Sequence, residues 1–205
     1  MVEATINTHK AVEIFHKLMQ PSSSIQTFCL TGAAKMGKSH LLTEVFPALA
    51  CQQYRANYAF LDLRNRMHTI PDLLQIACIQ LGTEFFTGYY TAYKEWINRP
   101  AVEVQGLLAA FSSISIAGRQ TPKDTRHAEY YLTSQFVNDL NKQTTNPVVF
   151  FFDSIECADQ AIQVWLMETL LIPLSQLKHI RLVLAGRPLP EAHPRYRNSC
   201  QWYEL

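Results

Sequence analysis

The chain has 205 residues, of which 48% are hydrophobic and 17% charged, so it is long and apolar enough to bury one core, and this composition disfavours disorder. Its 18 basic and 17 acidic residues give a formal net charge of +1, which excludes a strong overall field toward nucleic acid or an anionic membrane. No C-x-x-C pair occurs among the five cysteines and no apolar run is as long as a membrane span, so we expect reduced thiols in a cytoplasmic protein.

Residues 8 to 19 predict an amphipathic helix, because their apolar side chains recur with helical spacing. The predicted inward face consists of Ala11, Ile14, Phe15, Leu18 and Met19. Pro21 and the serines after it end this helix. The apolar run over residues 25 to 31 then predicts the first strand.

The segment after this strand, from Gly32 to Ser39, has the pattern G-x-x-x-x-G-K-S. Glycines allow successive N–H groups to point at phosphate oxygens, and a following helix directs the positive end of its dipole at the same anion. The pattern predicts a phosphate-binding loop in which Lys38 reaches the β- and γ-phosphates and the Ser39 hydroxyl is a Mg²⁺ ligand. The predicted nucleotide-binding residues are Gly32, Ala33, Ala34, Lys35, Met36, Gly37, Lys38, Ser39 and His40.

A glycine-rich turn that binds nothing is the alternative, and the strand before the loop and the helix after it argue against this alternative. That helix is predicted to run to about Ala50, with Pro47 near its end. Residues 57 to 63 form the second predicted strand, and Asp62 at its end is either a site residue or a salt-bridge partner.

A third helix is predicted from Ile70 to the glycine at position 82. Its predicted inward residues are Leu73, Leu74, Ala77, Ile79 and Leu81.

Residues 84 to 125 are predicted to be a helical insertion between the second and third strands. They contain an aromatic stripe formed by Phe85, Phe86, Tyr89, Tyr90, Tyr93 and Trp96. Such a stripe can stack on nucleic-acid bases, but its helical spacing favours packing within the protein. We expect a helix over residues 102 to 116, an exposed loop over 118 to 124 and a further helix that ends near residue 144.

Residues 148 to 153 are an uninterrupted apolar run that ends in an acid, as expected of a central parallel strand covered on both faces. Asp153 at its tip is predicted to hold Mg²⁺, directly or through water, alongside Ser39. Glu156 is predicted to orient or deprotonate an attacking water, with a structural role as the alternative.

An amphipathic helix over residues 158 to 174 leads to a fourth predicted strand, residues 180 to 186, and then to Arg187. Because this strand ends at the same sheet edge as the phosphate loop, Arg187 is predicted to contact a γ-phosphate, unless it is a solvated surface arginine. Residues 201 to 205 predict a fifth strand.

Three segments together resemble the STAND class of P-loop ATPases, the signal-transducing relatives of AAA+ proteins. They are Gly32 to Ser39, Phe150 to Glu156 with its D-x-x-E ending, and Leu182 to Pro188 with its terminal Gly-Arg-Pro. The resemblance covers nearly the whole chain and implies an α/β P-loop NTPase fold of the ASCE type, with a parallel five-stranded sheet of order 5-1-4-3-2 flanked by helices. It implies that residues 1–205 form one NTPase domain.

The same resemblance implies an ATP/ADP-dependent switch with slow Mg²⁺-dependent hydrolysis. Lys38, Glu156 and Arg187 would be its catalytic residues, and Ser39 and Asp153 would hold the metal. Members of the class usually carry sensor and effector domains beyond this core, so we expect such domains in a longer chain and a homo-oligomer on activation.

Three other functions stay open. The first is a DNA-associated AAA+ ATPase. The near-neutral charge argues against it, because it disfavours nucleic acid as a partner. The second is a small-molecule kinase, which requires an arginine-rich lid where residues 84 to 125 are chiefly aromatic and aliphatic. The third is a scaffold that binds nucleotide without hydrolysing it.

Overall fold

A computed structural model describes residues 2–98, 122–143 and 146–205 and shows an α/β fold built on one five-stranded sheet. The strands are β1 (Thr27–Thr31), β2 (Asn57–Asp62), β3 (Val148–Asp153), β4 (Ile180–Ala185) and β5 (Cys200–Glu204). All neighbouring strands are parallel, and their order is β2-β3-β4-β1-β5. This is the predicted order 5-1-4-3-2 counted from the other edge, so the predicted topology is confirmed.

The register of the sheet aligns the carboxyl ends of its strands. Asp62 at the end of β2 lies opposite Asp153 at the end of β3, and Leu30 of β1 lies opposite Ala185 of β4. The segments that follow these four strands therefore meet at one edge, which is where ligands bind in open parallel sheets.

Helical segments connect the strands. Their bounds are Val2–Met19, Lys38–His40, Leu41–Val45, Phe46–Tyr54, Ile70–Leu81, Thr83–Phe85, Thr87–Ile97, Pro122–Lys142, Ile155–Cys157, Gln160–Val164, Trp165–Leu170, Leu171–Leu174 and Pro194–Arg197. No helix in the described ranges is both long and apolar enough to cross a membrane.

Strands β3 and β4 are buried at every position, because helices cover both faces of the sheet. Phe150 and Phe152 pack on one face with the helices at 70–81, 122–142 and 160–174. Phe151 packs on the other face, against Phe15 and Phe46. Alternate residues of one strand thus build two cores, one on each face of the sheet.

The insertion after the third predicted helix packs into the first of these cores. Tyr89 is fully buried, its hydroxyl donates to the Pro71 carbonyl over 3.1 Å, and Phe86 stacks on Phe136 with ring centroids 5.1 Å apart. The buried carboxylate of Asp139 accepts the Tyr89 backbone N–H at 2.9 Å. The prediction of a packed insertion is confirmed for these rings, which are unavailable for base stacking; Phe85, by contrast, is half exposed.

Several predicted details of the helices are wrong. The helix after the phosphate loop does not end near Ala50 but continues to Tyr54, because the wider π-helical turn over Leu41–Val45 precedes Pro47 and accommodates its missing N–H. Ile79 was predicted to face inward, yet it is 64% exposed, and Cys78 takes the buried position one residue earlier.

The predicted loop at 118–124 is wrong at its end, because a helix already begins at Pro122, where the fixed φ of proline suits the first turn. Residues 118–121 lie outside the described residues. The first helix begins at Val2 rather than at residue 8. The helix predicted over residues 102 to 116 lies outside the described residues.

Candidate functional site

The loop between β1 and the following helix makes its turns through left-handed backbone conformations. Gly32 and Gly37 have φ angles of 145° and 90°, and Lys35 between them has a φ of 66°. A Cβ on Gly32 would lie 2.9 Å from the backbone oxygen of Leu205, so only glycine fits at the start of the loop. The two glycines of the predicted phosphate-binding pattern are thus required by the backbone itself.

The side chain of Lys38 lies inside this loop and is only 9% exposed. Its amine donates hydrogen bonds to the carbonyls of Gly32 at 2.6 Å and Ala33 at 2.8 Å. Burial lowers the pKa of this amine, while the carboxylates of Glu156 and Asp153 act in the opposite direction. Lys38 therefore lies where the sequence predicts a phosphate-binding cation, in contact with the loop carbonyls.

Two acidic side chains lie at the end of β3 and in the turn after it. Asp153 is 1% exposed, and its Oδ2 is a buried atom with no hydrogen-bond partner among the described residues. Ser154 then turns the chain with a φ of 59°, and the short helical turn Ile155–Cys157 carries Glu156. Its side chain is 20% exposed, and within the described ranges Oε2 is likewise buried without a hydrogen-bond partner. Buried acceptors without donors are rare, and here two of them lie beside the predicted phosphate-binding loop.

Arg187 emerges after β4 and pairs with the second of these acids. Its Nε lies 3.6 Å from Oε1 of Glu156, and its side chain is 61% exposed. A Cβ on the preceding Gly186 would lie 3.0 Å from the other oxygen of Glu156, so a glycine allows the carboxylate to approach the end of β4 closely.

A cavity of about 320 Å³ joins the ends of β1, β2, β3 and β4. Its lining residues are Ala34, Lys35, Met36, Gly37, Lys38, Ser39, His40, Arg64, Asp153, Ser154, Glu156, Cys157, Gly186 and Arg187. The structure therefore brings together seven of the nine predicted nucleotide-binding residues with Asp153, Glu156 and Arg187. The other two, Gly32 and Ala33, accept the hydrogen bonds of Lys38.

Arg64 is a lining residue to which the sequence assigned no role. Arg64 follows β2, which lies next to β3 in the sheet. The predicted strand order, together with the position of Arg64 just after Asp62, is the signal that could have identified it. Asp62 itself is a salt-bridge partner, at 2.6 Å from Arg64.

The sheet order, the loop after β1 and the acids at the end of β3 and just after it define the P-loop NTPase fold. No protein-family model matches the chain, and no curated protein is significantly similar to it. Among solved structures, the chain is similar to a chain of the structure described as Drosophila ORC bound to AT-rich DNA and Cdc6, with a TM-score of 0.51 and 8% sequence identity. The similarity covers all of the present chain and 58% of that chain. At this identity it shows the fold alone.

Proposed function

We propose that the chain is the ATP/ADP-binding switch domain of a STAND-type signalling ATPase, in which slow Mg²⁺-dependent ATP hydrolysis controls oligomerisation and effector activation. The observation that carries the proposal is the single cavity that Lys38, Asp153, Glu156 and Arg187 share at the carboxyl edge of the sheet. Cations and backbone amides for phosphate lie there beside acids for metal and water, which is the set of groups that phosphoryl transfer requires.

Each residue has a role that its position supports. The amine of Lys38 exchanges its bonds to the Gly32 and Ala33 carbonyls for bonds to phosphate oxygens, which are stronger acceptors because they are charged. Glu156 accepts the proton of the attacking water through its Oε2, the buried oxygen that lacks a partner within the described residues. Arg187 binds the γ-phosphate and so distinguishes ATP from ADP.

The residues present fit a magnesium ion. Asp153 supplies a buried, unpartnered carboxylate oxygen of the described region, and Ser39 supplies a hydroxyl on the same cavity. In the described ranges no three His, Cys, Asp or Glu side chains cluster as a metal site, which agrees with the preference of Mg²⁺ for one or two protein ligands together with phosphate and water. When bound, the ion would neutralise charge on the β- and γ-phosphates.

The assignment to the STAND type rests on the resemblance of the D-x-x-E and Gly-Arg-Pro segments. On this proposal residues 1–205 are one NTPase domain of a longer cytoplasmic chain with sensor and effector domains, and activation produces a homo-oligomer. Light scattering of longer chains with ADP and with a non-hydrolysable ATP analogue tests the oligomer, which should form with the triphosphate.

Calorimetric titration with Mg-ATP and Mg-ADP tests the nucleotide site. Lys38→Ala should remove most of the affinity for both, because it deletes a charge-assisted contact where phosphate charge is densest, and the fold should survive. Lys94→Ala, which removes an exposed lysine outside the cavity, is the matched control and should bind as the wild type does. Unchanged affinity in folded Lys38→Ala protein, or a wild type that binds neither nucleotide, would contradict the proposal.

A DNA-associated ATPase is the second candidate, because the similar solved structure is described as an assembly bound to AT-rich DNA. The net charge of +1 opposes it. Binding to duplex DNA that weakens steeply with salt would favour this second candidate. A third outcome, in which bound ATP is never hydrolysed, would identify a nucleotide-dependent scaffold.

A further inference from the structure

Arg64 is a cation on the nucleotide cavity that the proposed roles do not use. It lies two residues beyond the end of β2 and lines the cavity together with Lys38, Asp153 and Glu156. Its side chain is 59% exposed, so the guanidinium is accessible to a ligand.

Asp62 holds this guanidinium through a two-pronged contact. Nε of Arg64 lies 2.9 Å from both carboxylate oxygens of Asp62, and Nη2 lies 2.6 Å from Oδ2. Oδ1 of Asp62 also accepts the backbone N–H of Arg64 at 3.0 Å, which fixes the turn after the strand. The contact lowers the pKa of Asp62 and raises that of Arg64, so both groups stay charged at neutral pH. None of these bonds uses Nη1, so the contact with Asp62 leaves both N–H groups of Nη1 for another acceptor.

Residues on both sides of Arg64 are bonded to the end of β3 and the turn after it, one through its backbone and one through its side chain. The N–H of Leu63 donates to the carbonyl of Asp153 at 3.0 Å, and Nε of Arg66 donates to the carbonyl of Cys157 at 3.1 Å. Because β3 lies between β2 and β4, Arg64 after β2 and Arg187 after β4 flank the turn that carries Glu156. The position of Arg64 is thus fixed relative to the proposed reaction centre.

The charged side chains that line the cavity favour a ligand with more negative charge than ADP. Its lining has four cationic side chains, Lys35, Lys38, Arg64 and Arg187, and two acidic ones, Asp153 and Glu156. Asp62 holds the guanidinium of Arg64 in a two-pronged contact but does not bury it. A guanidinium matches the oxygens of a phosphate in the same two-pronged way.

We propose that Arg64, positioned by Asp62, is a second arginine that binds the terminal phosphate of a bound nucleoside triphosphate, on the side of Glu156 away from Arg187. The inference rests on the proposed function, since it assigns a further residue to the same site. It predicts that both arginines distinguish triphosphate from diphosphate and that each acts without a residue from another subunit.

Arg64→Gln should weaken binding of a non-hydrolysable ATP analogue by about 10- to 100-fold, the loss expected for a hydrogen bond to a charged group. ADP affinity should change by less than about threefold, because ADP lacks the terminal phosphate. The matched control is Arg197→Gln, which removes an arginine of similar exposure (63%) that is also paired with a carboxylate but lies off the cavity. Both affinities of this control should equal those of the wild type.

Asp62→Asn tests the positioning role. It should produce part of the loss seen with Arg64→Gln, and combining the two substitutions should add nothing further, because both remove the same interaction. Thermal unfolding without nucleotide checks that each variant is folded, and Arg64→Lys, which keeps the charge but not the fork, should lie between the wild type and Arg64→Gln.

Two outcomes overturn the inference while the proposed function stands. In both, the wild type binds nucleotide and Lys38→Ala does not, but Arg64→Gln either binds the ATP analogue as tightly as the wild type or loses affinity equally for ADP. If the wild type binds neither nucleotide, the proposed function itself fails, and the inference about Arg64 fails with it.

Discussion

Replacing Glu156 by Gln should slow ATP turnover and at the same time tighten binding of the triphosphate. The substitution removes the proposed base, so the rate of hydrolysis should fall by about 10² or more. It also removes the carboxylate that Arg187 contacts at 3.6 Å. On the proposed function Arg187 must leave this carboxylate to bind a γ-phosphate, so its removal makes the exchange easier.

The size of the second effect follows from the geometry of the pair. At 3.6 Å the charges attract by about 1 kcal/mol in water and by about 5 kcal/mol at an effective dielectric constant near 20. The side chain of Arg187 is 61% exposed, so the net value lies near the solvent limit, at about 1 kcal/mol. The affinity of Glu156→Gln for a non-hydrolysable ATP analogue should therefore rise about fivefold, and its ADP affinity should not change.

Calorimetric titration gives the two affinities, and single-turnover hydrolysis gives the rate. Arg187→Ala is the partner variant: it should bind the analogue about 5- to 150-fold more weakly, and adding Glu156→Gln to it should produce no tightening, because the pair is already absent. Equal hydrolysis by wild type and Glu156→Gln would assign Glu156 a structural role. Equal tightening for ADP and the analogue would refute the exchange of Arg187 between carboxylate and phosphate.

Two further predictions concern stability. Arg181, which is 6% exposed, donates to the carbonyls of Leu18 at 2.6 Å, Lys178 at 2.7 Å and Gln20 at 3.3 Å. Arg181→Met leaves these acceptors without their donor and should reduce the free energy of unfolding by about 3 kcal/mol, or about 10 °C in Tm. The exposed control Arg195→Met should change the free energy of unfolding by less than about 0.5 kcal/mol. The Thr69 hydroxyl and N–H lower the pKa of Asp72, so the stabilisation by this cap is present above the pKa of the unfolded chain and is lost as the pH falls through the lower folded-state pKa. Lowering the pH from about 6 to about 3 should therefore reduce the free energy of unfolding of the wild type by about 1 kcal/mol more than that of Asp72→Asn. Urea denaturation at each pH measures both values, and equal losses would contradict this linkage.

The parts of the fold that the sequence predicts correctly depend on local patterns. The apolar run that ends at Asp153 could only be a buried strand, and its neighbour relations followed from the resemblance to a known class. The glycine pattern from Gly32 to Ser39 specified the loop, because its left-handed angles require residues without a Cβ at two positions.

The features that the sequence did not predict depend on contacts between distant segments. Arg181 is the second residue of the predicted fourth strand, and nothing in the local sequence marks it as buried. Its burial comes from contacts with the end of a helix more than 160 residues earlier. Arg64 and Glu156 are 92 positions apart, and only the pairing of β2 with β3 makes them neighbours. By spacing alone, Ile79 belongs to the apolar face of its helix. The buried part of that face does not include every apolar residue, and the Ile79 side chain lies in solvent.

Each cation proposed to bind phosphate already has an acceptor within the protein. Lys38 contacts the carbonyls of its own loop, Arg187 contacts Glu156 and Arg64 contacts Asp62. Binding of phosphate replaces the acceptors of Lys38 and Arg187, whereas Arg64 is proposed to keep its contact with Asp62. The replaced contacts of Lys38 are short and buried, while that of Arg187 is longer, at 3.6 Å, and screened by solvent. Because any phosphate engages Lys38 but the arginines are proposed to engage the terminal phosphate, the protein gives up only the weak contact of Arg187 to gain those that separate ATP from ADP, which is what a nucleotide switch requires.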